Sequence, residues 1–340
     1  MTDVVGNAVV TVITRTKDRP LFLERAIRSV FSQTYTDFGM IVVNDGGDAT
    51  AVDGVVRREA GGPSSRLKVV HHAVPLGRGA GMVLVNQAVR NSKSTYVVIH
   101  DDDDSWHPSF LELSVRRLEE TGAMGVIATT DKVVERVEND RIVTVEQHPL
   151  NPGLQAINLY RMCLVNHAVP ISFLYRRAAF DTVGYYDEEL DGVSDWDFAL
   201  RFLLHYDIEY LHTPEALAFY HHRPSARDIE LNSVYTESHR SAENRIANRY
   251  LREDIVSGRL GLGFLLNSLR FASEREDAMF EREQLVAREQ VEYLAECIRK
   301  LDARVQDLQR AGTPGGRLKS DLAFLRSLPG KLLRRLGNKP

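Results

Sequence analysis

Short apolar runs and amphipathic stretches alternate along the first 130 residues of the chain. The apolar runs at 9–14, 38–44, 67–72 and 96–100 predict four buried strands. Helical patterns follow them and begin near Pro20, Gly77 and Pro108, where Gly, Asp and Pro interrupt the apolar runs. Strands that alternate with helices predict an α/β fold, a mostly parallel sheet with helices on both faces. In such a sheet, ligands bind at the carboxyl ends of the strands.

The pattern becomes less regular after residue 130. Alternating positions at 133–145 predict a hairpin that turns at Glu138-Asn139-Asp140. Further apolar runs predict strands at 170–175 and 217–221, and the spacing at 196–204 predicts a helix. From about residue 226 the chain becomes charged and helical in pattern.

A heptad spacing of apolar residues marks the helical region, at Ala287, Val291, Leu294, Ile298, Leu301, Val305 and Leu308. This spacing predicts a coiled coil and a homo-oligomer formed through 280–310; the alternative is a helix packed on its own globular body. The segment 312–316 (GTPGG) ends the helix, and leucines interleaved with basic residues follow. We therefore expect a catalytic domain at 1–225, a helical extension at 226–311 and a basic amphipathic tail at 312–340.

The charge of the chain is unevenly distributed. The 340 residues carry a net charge of −4, yet 315–340 alone carry +6, which leaves −10 on the remainder. A basic amphipathic tail predicts contact with an anionic membrane surface through 317–339; the alternative is docking on the acidic body. An acidic body without interleaved basic and aromatic residues excludes nucleic acid as the expected partner.

Two cysteines are too few for a disulfide framework or a zinc site, and the N-terminus lacks the basic region of a signal peptide. No apolar run has the length of a membrane span, about 18 residues. We therefore expect a cytoplasmic protein that contacts the inner face of the cytoplasmic membrane through its tail.

Four consecutive aspartates, 101–104, form the strongest chemical signal in the chain. Adjacent carboxylates repel one another and raise each other's pKa unless a cation neutralises them. Such a loop after a buried strand favours a hard divalent cation, although the spacing does not suit an EF-hand. The alternative is a solvated acidic turn before the next helix.

Three further motifs are weaker. Asp45, in the turn after the second strand, can accept hydrogen bonds from a ribose or a base, but any turn uses Asp and Gly. Asp195 lies where a loop meets a helix, as an N-cap or as a general base. His221 and His222 follow a predicted strand, as metal ligands or as ordinary structural residues.

Taken together, five ordered segments resemble family 2 glycosyltransferases. They are 12–20 (VITRTKDRP), 26–35 (AIRSVFSQTY), 41–48 (IVVNDGGD), 101–108 (DDDDSWHP) and 194–198 (SDWDF). The resemblance covers about residues 8–225 and implies a GT-A fold. It also implies an inverting, metal-dependent transfer of a sugar from a UDP- or dTDP-type donor to a saccharide or lipid-linked acceptor, in cell-surface polysaccharide synthesis.

The resemblance also implies roles for individual residues. Asp195 is expected to be the base that deprotonates the acceptor hydroxyl. The residues expected to hold Mn²⁺ or Mg²⁺ are Asp101, Asp103 and, in preference to His221, His222. Those expected to bind the nucleotide sugar are Arg15, Thr16, Asp18, Asp45, Arg78 and Asp102.

Two positions depart from the family pattern, because Asn44 and Ser194 stand where acidic residues are usual. The nucleotide contacts are then expected to depend on Asp45, and the base function on Asp195. The sequence leaves two alternatives: a sugar-nucleotide pyrophosphorylase, for which 14–20 lack the expected glycines, and a non-catalytic assembly module with a degenerate domain.

Overall fold

A computed structural model describes residues 8–61, 66–190, 192–224, 226, 232 and 237–311. The strands are β1 Val10–Thr16, β2 Phe38–Asp45, β3 Leu67–His72, β4 Tyr96–Ile99, β5 Ser105–Trp106, β6 Gly125–Ala128, β7 Thr130–Glu138, β8 Arg141–Pro149, β9 Phe173–Arg176, β10 Ile208–Leu211 and β11 Ala218–His222. The helices are α1 Pro20–Phe31, α2 Ala49–Ala60, α3 Gly77–Asn91, α4 Phe110–Thr121, α5 Leu159–Leu164, α6 Ala179–Val183, α7 Ser194–Leu203, α8 Glu237–Ser257 and α9 Leu262–Ala311.

The main sheet has seven strands in the order β10-β6-β9-β4-β1-β2-β3. All neighbours pair in parallel except β9, which runs antiparallel between β4 and β6. β2 and β4 are buried along their whole length, as expected for central strands covered on both faces. The predicted mostly parallel α/β sheet is confirmed.

The four predicted strands at the start of the chain form within one or two residues of their expected ends, because their apolar runs are continuous. The predicted hairpin forms as β7 and β8, and its turn residues Asn139 and Asp140 have φ of 50° and 58°. The run predicted as a strand at 170–175 begins instead with a 3-10 turn, Pro170–Ser172, before β9.

A second sheet of four strands, in the order β5-β11-β7-β8, lies beyond the end of β4. β11 pairs in parallel with β7 and antiparallel with β5, the strand that immediately follows the aspartate run. This pairing brings the histidines at the end of β11 close to the aspartates at the end of β4.

Two apolar cores cover the two faces of the main sheet. One of them includes Ala242, Ile246 and Tyr250 of α8 together with Leu266 of α9. The compact unit that contains the sheets accordingly runs to Phe271, and a second unit begins at Ala272.

The second unit is described here only as far as residue 311, within the continuous helix α9. Val291, Leu294 and Ile298, on the predicted heptad seam, are 65, 47 and 65% exposed. The side chains of Leu301, Val305 and Leu308 and the whole tail 312–340 lie outside the described residues. Among the helices of the described residues, none has the length and apolar character that crossing a bilayer requires.

Candidate active site

A cavity of about 700 Å³ opens at the carboxyl ends of β1, β2 and β4. Its lining comes from segments far apart in sequence: Arg15 and Thr16 at the end of β1, Asp45 at the end of β2, Asp101, Asp102 and Asp103 after β4, Asp195 and Trp196 on α7, and His222 at the end of β11. This is the edge at which parallel α/β sheets bind their ligands.

The turn after β2 is braced by its own side chains. Gly46 has φ of 71°, and a Cβ there would lie 2.5 Å from the backbone nitrogen of Pro75, so this position requires glycine. The Asn44 amide nitrogen donates to the Gly47 carbonyl at 2.8 Å, and Asn44 Oδ1 accepts from the Gly47 N–H at 3.0 Å. Asp45 accepts a hydrogen bond from the Leu76 N–H at 2.8 Å and lines the cavity. Asn44 is thus a structural residue of the turn.

The four aspartates differ in charge because their surroundings differ. Burial and the neighbouring charge of Asp103 raise the pKa of Asp101 to about 7. Burial also raises the pKa of Asp102, although Arg19 opposes this, and raises the pKa of Asp104 well above its usual value. Asp104 accepts from the His221 N–H at 2.8 Å, away from the cavity lining.

Asp103 is the exception within this run, because arginines neutralise it. Burial alone would raise its pKa, but Arg19 and Arg223 outweigh burial and hold the pKa below the usual value. Both guanidinium groups donate to Asp103 Oδ2, and the Asn232 amide donates to the same oxygen at 3.2 Å. Arg223 also donates to Glu135 at 2.6 Å and is fully buried.

Asp195 lies on the other side of the cavity, in the first turn of α7. Its Oδ2 accepts a hydrogen bond from the Asn166 amide nitrogen at 2.7 Å, and the Ala168 N–H donates to Asn166 Oδ1 at 2.9 Å. Because the Ala168 contact fixes the amide, the Asn166 NH₂ group must face Asp195. Burial raises the pKa of Asp195, while the Trp196 N–H and Asn166 limit the increase. A half-buried carboxylate with a raised pKa suits a general base.

The two histidines of β11 point in different directions. His222 lines the cavity, and burial together with Lys132 lowers its pKa to about 4. Its imidazole is therefore neutral at pH 7. His221 contacts Glu135 at 2.7 Å through Nδ1 and Ser105 at 2.8 Å through Nε2. Of the two, His222 is the one placed where a ligand of the cavity can reach it.

The cavity lining contains eight of the predicted site residues: Arg15, Thr16, Asp45, Asp101, Asp102, Asp103, Asp195 and His222. Asp18 lies outside the lining, with φ of 53° and its carboxylate accepting from the Asp48 N–H at 2.9 Å. The side chain of Arg78 lies outside the described residues.

Four residues of this region were not identified from the sequence: Arg19, Asn166, Arg223 and His239. Arg19, Asn166 and His239 line the cavity. Arg223 lies outside the lining and forms an ion pair with Asp103. Of these, Arg19 could have been identified from the sequence, because it lies between the end of β1 and the Pro that begins α1.

The donor chemistry of Asp101 and Asp103 fits a divalent cation, because both supply hard carboxylate oxygens to the lining of the cavity. Within the described residues, no group of three or more His, Cys, Asp or Glu side chains is placed to hold a metal ion. Asp103 Oδ2 is directed to the arginines instead.

The fold and the cavity define an α/β protein with a cavity at the carboxyl edge of a mostly parallel sheet, between an acidic loop and a separate carboxylate. This is the edge at which enzymes of this architecture bind their ligands. Residues 11–184 match the family model of glycosyl transferase family 2, which is just over half of the chain. The chain therefore belongs to this family and is a glycosyltransferase. The pyrophosphorylase alternative has no support.

Two curated relatives are similar in sequence. "Putative colanic acid biosynthesis glycosyl transferase WcaA" of Escherichia coli (strain K12) is 23% identical over 201 residues, which is 59% of this chain and 68% of that protein. "Uncharacterized glycosyltransferase YwdF" of Bacillus subtilis (strain 168) is 27% identical over 200 residues, covering 56% of this chain and 67% of the relative.

The solved structure of S. aureus TarS 1–349 in complex with UDP-GlcNAc superposes with a TM-score of 0.53 and 19% identity, over 71% of this chain and 66% of that one. Against the longer TarS structure, the match spans 39% of that chain. At this identity the likeness shows the GT-A fold, which confirms the predicted fold class.

Proposed function

We propose that this glycosyltransferase inverts the anomeric centre as it moves a sugar from a UDP- or dTDP-type donor to a hydroxyl of a saccharide or lipid-linked acceptor, with Asp195 as the base. One observation carries the proposal: Asp195 lines the same cavity as Asp101–Asp103 but from a different element, α7 rather than the loop after β4. A single displacement requires such a separation, because the leaving diphosphate and the incoming hydroxyl lie on opposite sides of the sugar carbon.

The chemistry explains why two kinds of carboxylate are needed. An acceptor hydroxyl is a weak nucleophile, and a positioned carboxylate removes its proton as the new bond forms. The raised pKa of Asp195 makes it a better proton acceptor than an exposed aspartate. Asn166 donates to one oxygen, Oδ2, and so orients the carboxylate in the cavity.

We assign Asp101, Asp103 and His222 to a Mn²⁺ or Mg²⁺ ion, which would neutralise the charge that develops on the departing diphosphate. Arg15, Thr16 and Lys17, at the end of β1, and Asp45, at the end of β2, place both basic and hydrogen-bonding groups where the nucleotide would lie. Thr16 Oγ1 donates to Asp102 Oδ2 at 2.7 Å and so fixes the aspartate loop against this strand.

The names of the similar proteins indicate where to search for substrates. One similar structure contains UDP-GlcNAc, and one relative is named for colanic acid biosynthesis. These support a UDP-sugar donor and surface polysaccharide as the setting. A thermal-shift screen of UDP-, dTDP- and GDP-sugars with Mn²⁺ would identify the donor by the size of the stabilisation.

The test of the base is Asp195→Asn, which removes the proton acceptor and keeps the shape. We expect transfer to fall by about 10²- to 10⁴-fold while donor affinity, measured by calorimetry, stays within about 2-fold. Asp207→Asn, a change at an exposed aspartate just beyond α7, is the matched control. Undiminished transfer by the Asp195 variant would exclude it as the base, and a wild-type chain that binds donor without turnover would support the assembly-module alternative.

A further inference from the structure

Arg19 connects the acidic loop to the mouth of the cavity. Its guanidinium lies 3.2 Å from Asp102 Oδ1 through one nitrogen and donates to Asp103 Oδ2 through another. The side chain is 19% exposed and lines the cavity, whereas that of Arg223, the second arginine on Asp103, is 1% exposed. A ligand in the cavity can therefore reach Arg19.

Arg19 and Arg223 differ in their hydrogen-bond partners. Arg223 bridges Asp103 and the buried Glu135, so it has two carboxylate partners that cannot leave. Arg19 keeps one buried donor, Nε, for which the described residues supply no hydrogen-bond partner. A buried N–H without an acceptor costs free energy, which a phosphate oxygen in the cavity would recover.

Arg19 and a metal ion compete for the same carboxylate. Both are cations that neutralise Asp103, and two cations close to one oxygen repel each other. A nucleoside diphosphate lessens this repulsion, because its oxygens accept from the Arg19 guanidinium and Asp103 then keeps Arg223 and Asn232 but loses one competing cation.

We propose that Arg19 exchanges partners during donor binding: it holds Asp102 and Asp103 in the donor-free chain and moves to the diphosphate when the nucleotide and the metal ion enter. Arg19 is then both a diphosphate-binding residue and the group that makes metal and nucleotide binding cooperative. This inference rests on the proposed nucleotide-diphosphate donor.

The exchange predicts that Arg19→Gln changes the affinity for Mn²⁺ and the affinity for the nucleoside diphosphate in opposite directions. Removing the competing cation should tighten the binding of Mn²⁺ alone by about 5-fold, and removing the phosphate partner should weaken the binding of the nucleoside diphosphate alone by about 10-fold or more. The factor by which nucleotide tightens Mn²⁺ should fall accordingly. Mn²⁺ binding is measured by electron paramagnetic resonance, and UDP, dTDP and GDP binding by calorimetry, on the full chain.

Arg28→Gln is the matched control, since Arg28 lies on α1, its side chain is 64% exposed, and it pairs with Glu24 and Glu59 on the surface. It should change neither affinity. Arg19→Lys keeps the positive charge but cannot donate to two acceptors in the geometry of a guanidinium, so its affinities for Mn²⁺ and nucleotide should lie between those of the wild type and Arg19→Gln.

A purely structural role for Arg19 would weaken both affinities together, and no role would leave both unchanged; either result overturns the exchange. If the wild-type chain binds none of the three nucleotides, the proposed function itself fails. Nucleotide binding by the wild type with unaltered affinities in Arg19→Gln would overturn only the role of Arg19.

Discussion

Asp101, Asp102, Asp103 and Asp104 are adjacent in sequence, yet their neighbours give them different charge states. Asp103 faces two guanidinium groups and stays ionised, while at Asp101 burial and the charge of Asp103 outweigh Arg15 and raise the pKa to about 7. Asp104 is buried away from the cavity lining, and its pKa is raised well above the usual value. A run of identical residues thus contains both groups that line the cavity and a group buried away from it.

Asn166 offers a test of how Asp195 is tuned. Its amide hydrogen bond favours the charged carboxylate, so Asn166→Ala should raise the pKa of Asp195 further. A base is active only when deprotonated, so the acidic limb of the kcat/KM profile should move to higher pH, by about half a unit to one unit. A profile that drops uniformly without moving would show that Asn166 acts on structure alone.

At the scale of elements, α8 is bound to α7 through Asp197. The carboxylate is 1% exposed and accepts from Arg201 and from the Tyr250 hydroxyl, both at 2.8 Å, and from Arg249. Asp197→Ala would leave these groups without their acceptor. We expect a loss of about 2 kcal/mol in the free energy of unfolding, below the value for fully buried pairs because both arginines are partly exposed.

Urea denaturation measures this loss, with Asp207→Ala at an exposed position as the control that should stay within about 0.5 kcal/mol. Equal midpoints for the two variants would contradict a structural role for Asp197 in joining the helices.

The C-terminal boundary of the catalytic unit, near 225 or at Phe271, can be tested by truncation. Ala242, Ile246, Tyr250 and Leu266 are buried in one of the two cores. A chain that ends at Pro224 would lack them and would expose the apolar surface that they cover. We expect a chain ending at Phe271 to unfold cooperatively and to bind nucleotide, and one ending at Pro224 to be aggregated or unfolded. Cooperative unfolding of the shorter chain would place the boundary near 225 instead.

The order of strands and helices could be predicted from the sequence because apolar runs and Gly, Asp and Pro turns are local signals. The antiparallel insertion of β9 between β4 and β6 could not, since pairing between strands leaves no mark in either run. The same limit applies to the site. Asp101, Asp103 and Asp195 stand out as carboxylates in motifs, but the contact of Arg19 with Asp103 joins residues 84 positions apart.

At the scale of the whole molecule, the seam of Val291, Leu294 and Ile298 remains a predicted oligomer interface. These side chains are about half or more exposed on a continuous helix. Leu294→Glu with Ile298→Glu should convert an oligomer to a monomer in sedimentation equilibrium, because charges at seam positions oppose association. Glu289→Lys, an exposed change off the seam, is the control. A wild-type monomer at tens of micromolar would exclude the interface.

The uneven charge of the chain predicts how its tail meets a membrane surface. The +6 on 315–340 is separated from the acidic remainder by a Gly/Pro break, and basic residues near an anionic surface contribute about 1 kcal/mol each at low salt. We expect the full chain to float with vesicles of anionic lipid but not with neutral vesicles, and the binding to weaken as salt is raised. A chain ending at Ala311 should remain unbound in all cases. Equal flotation of the two chains would remove the tail as the membrane contact, whereas its loss on truncation would place the glycosyltransferase where a lipid-linked acceptor is available.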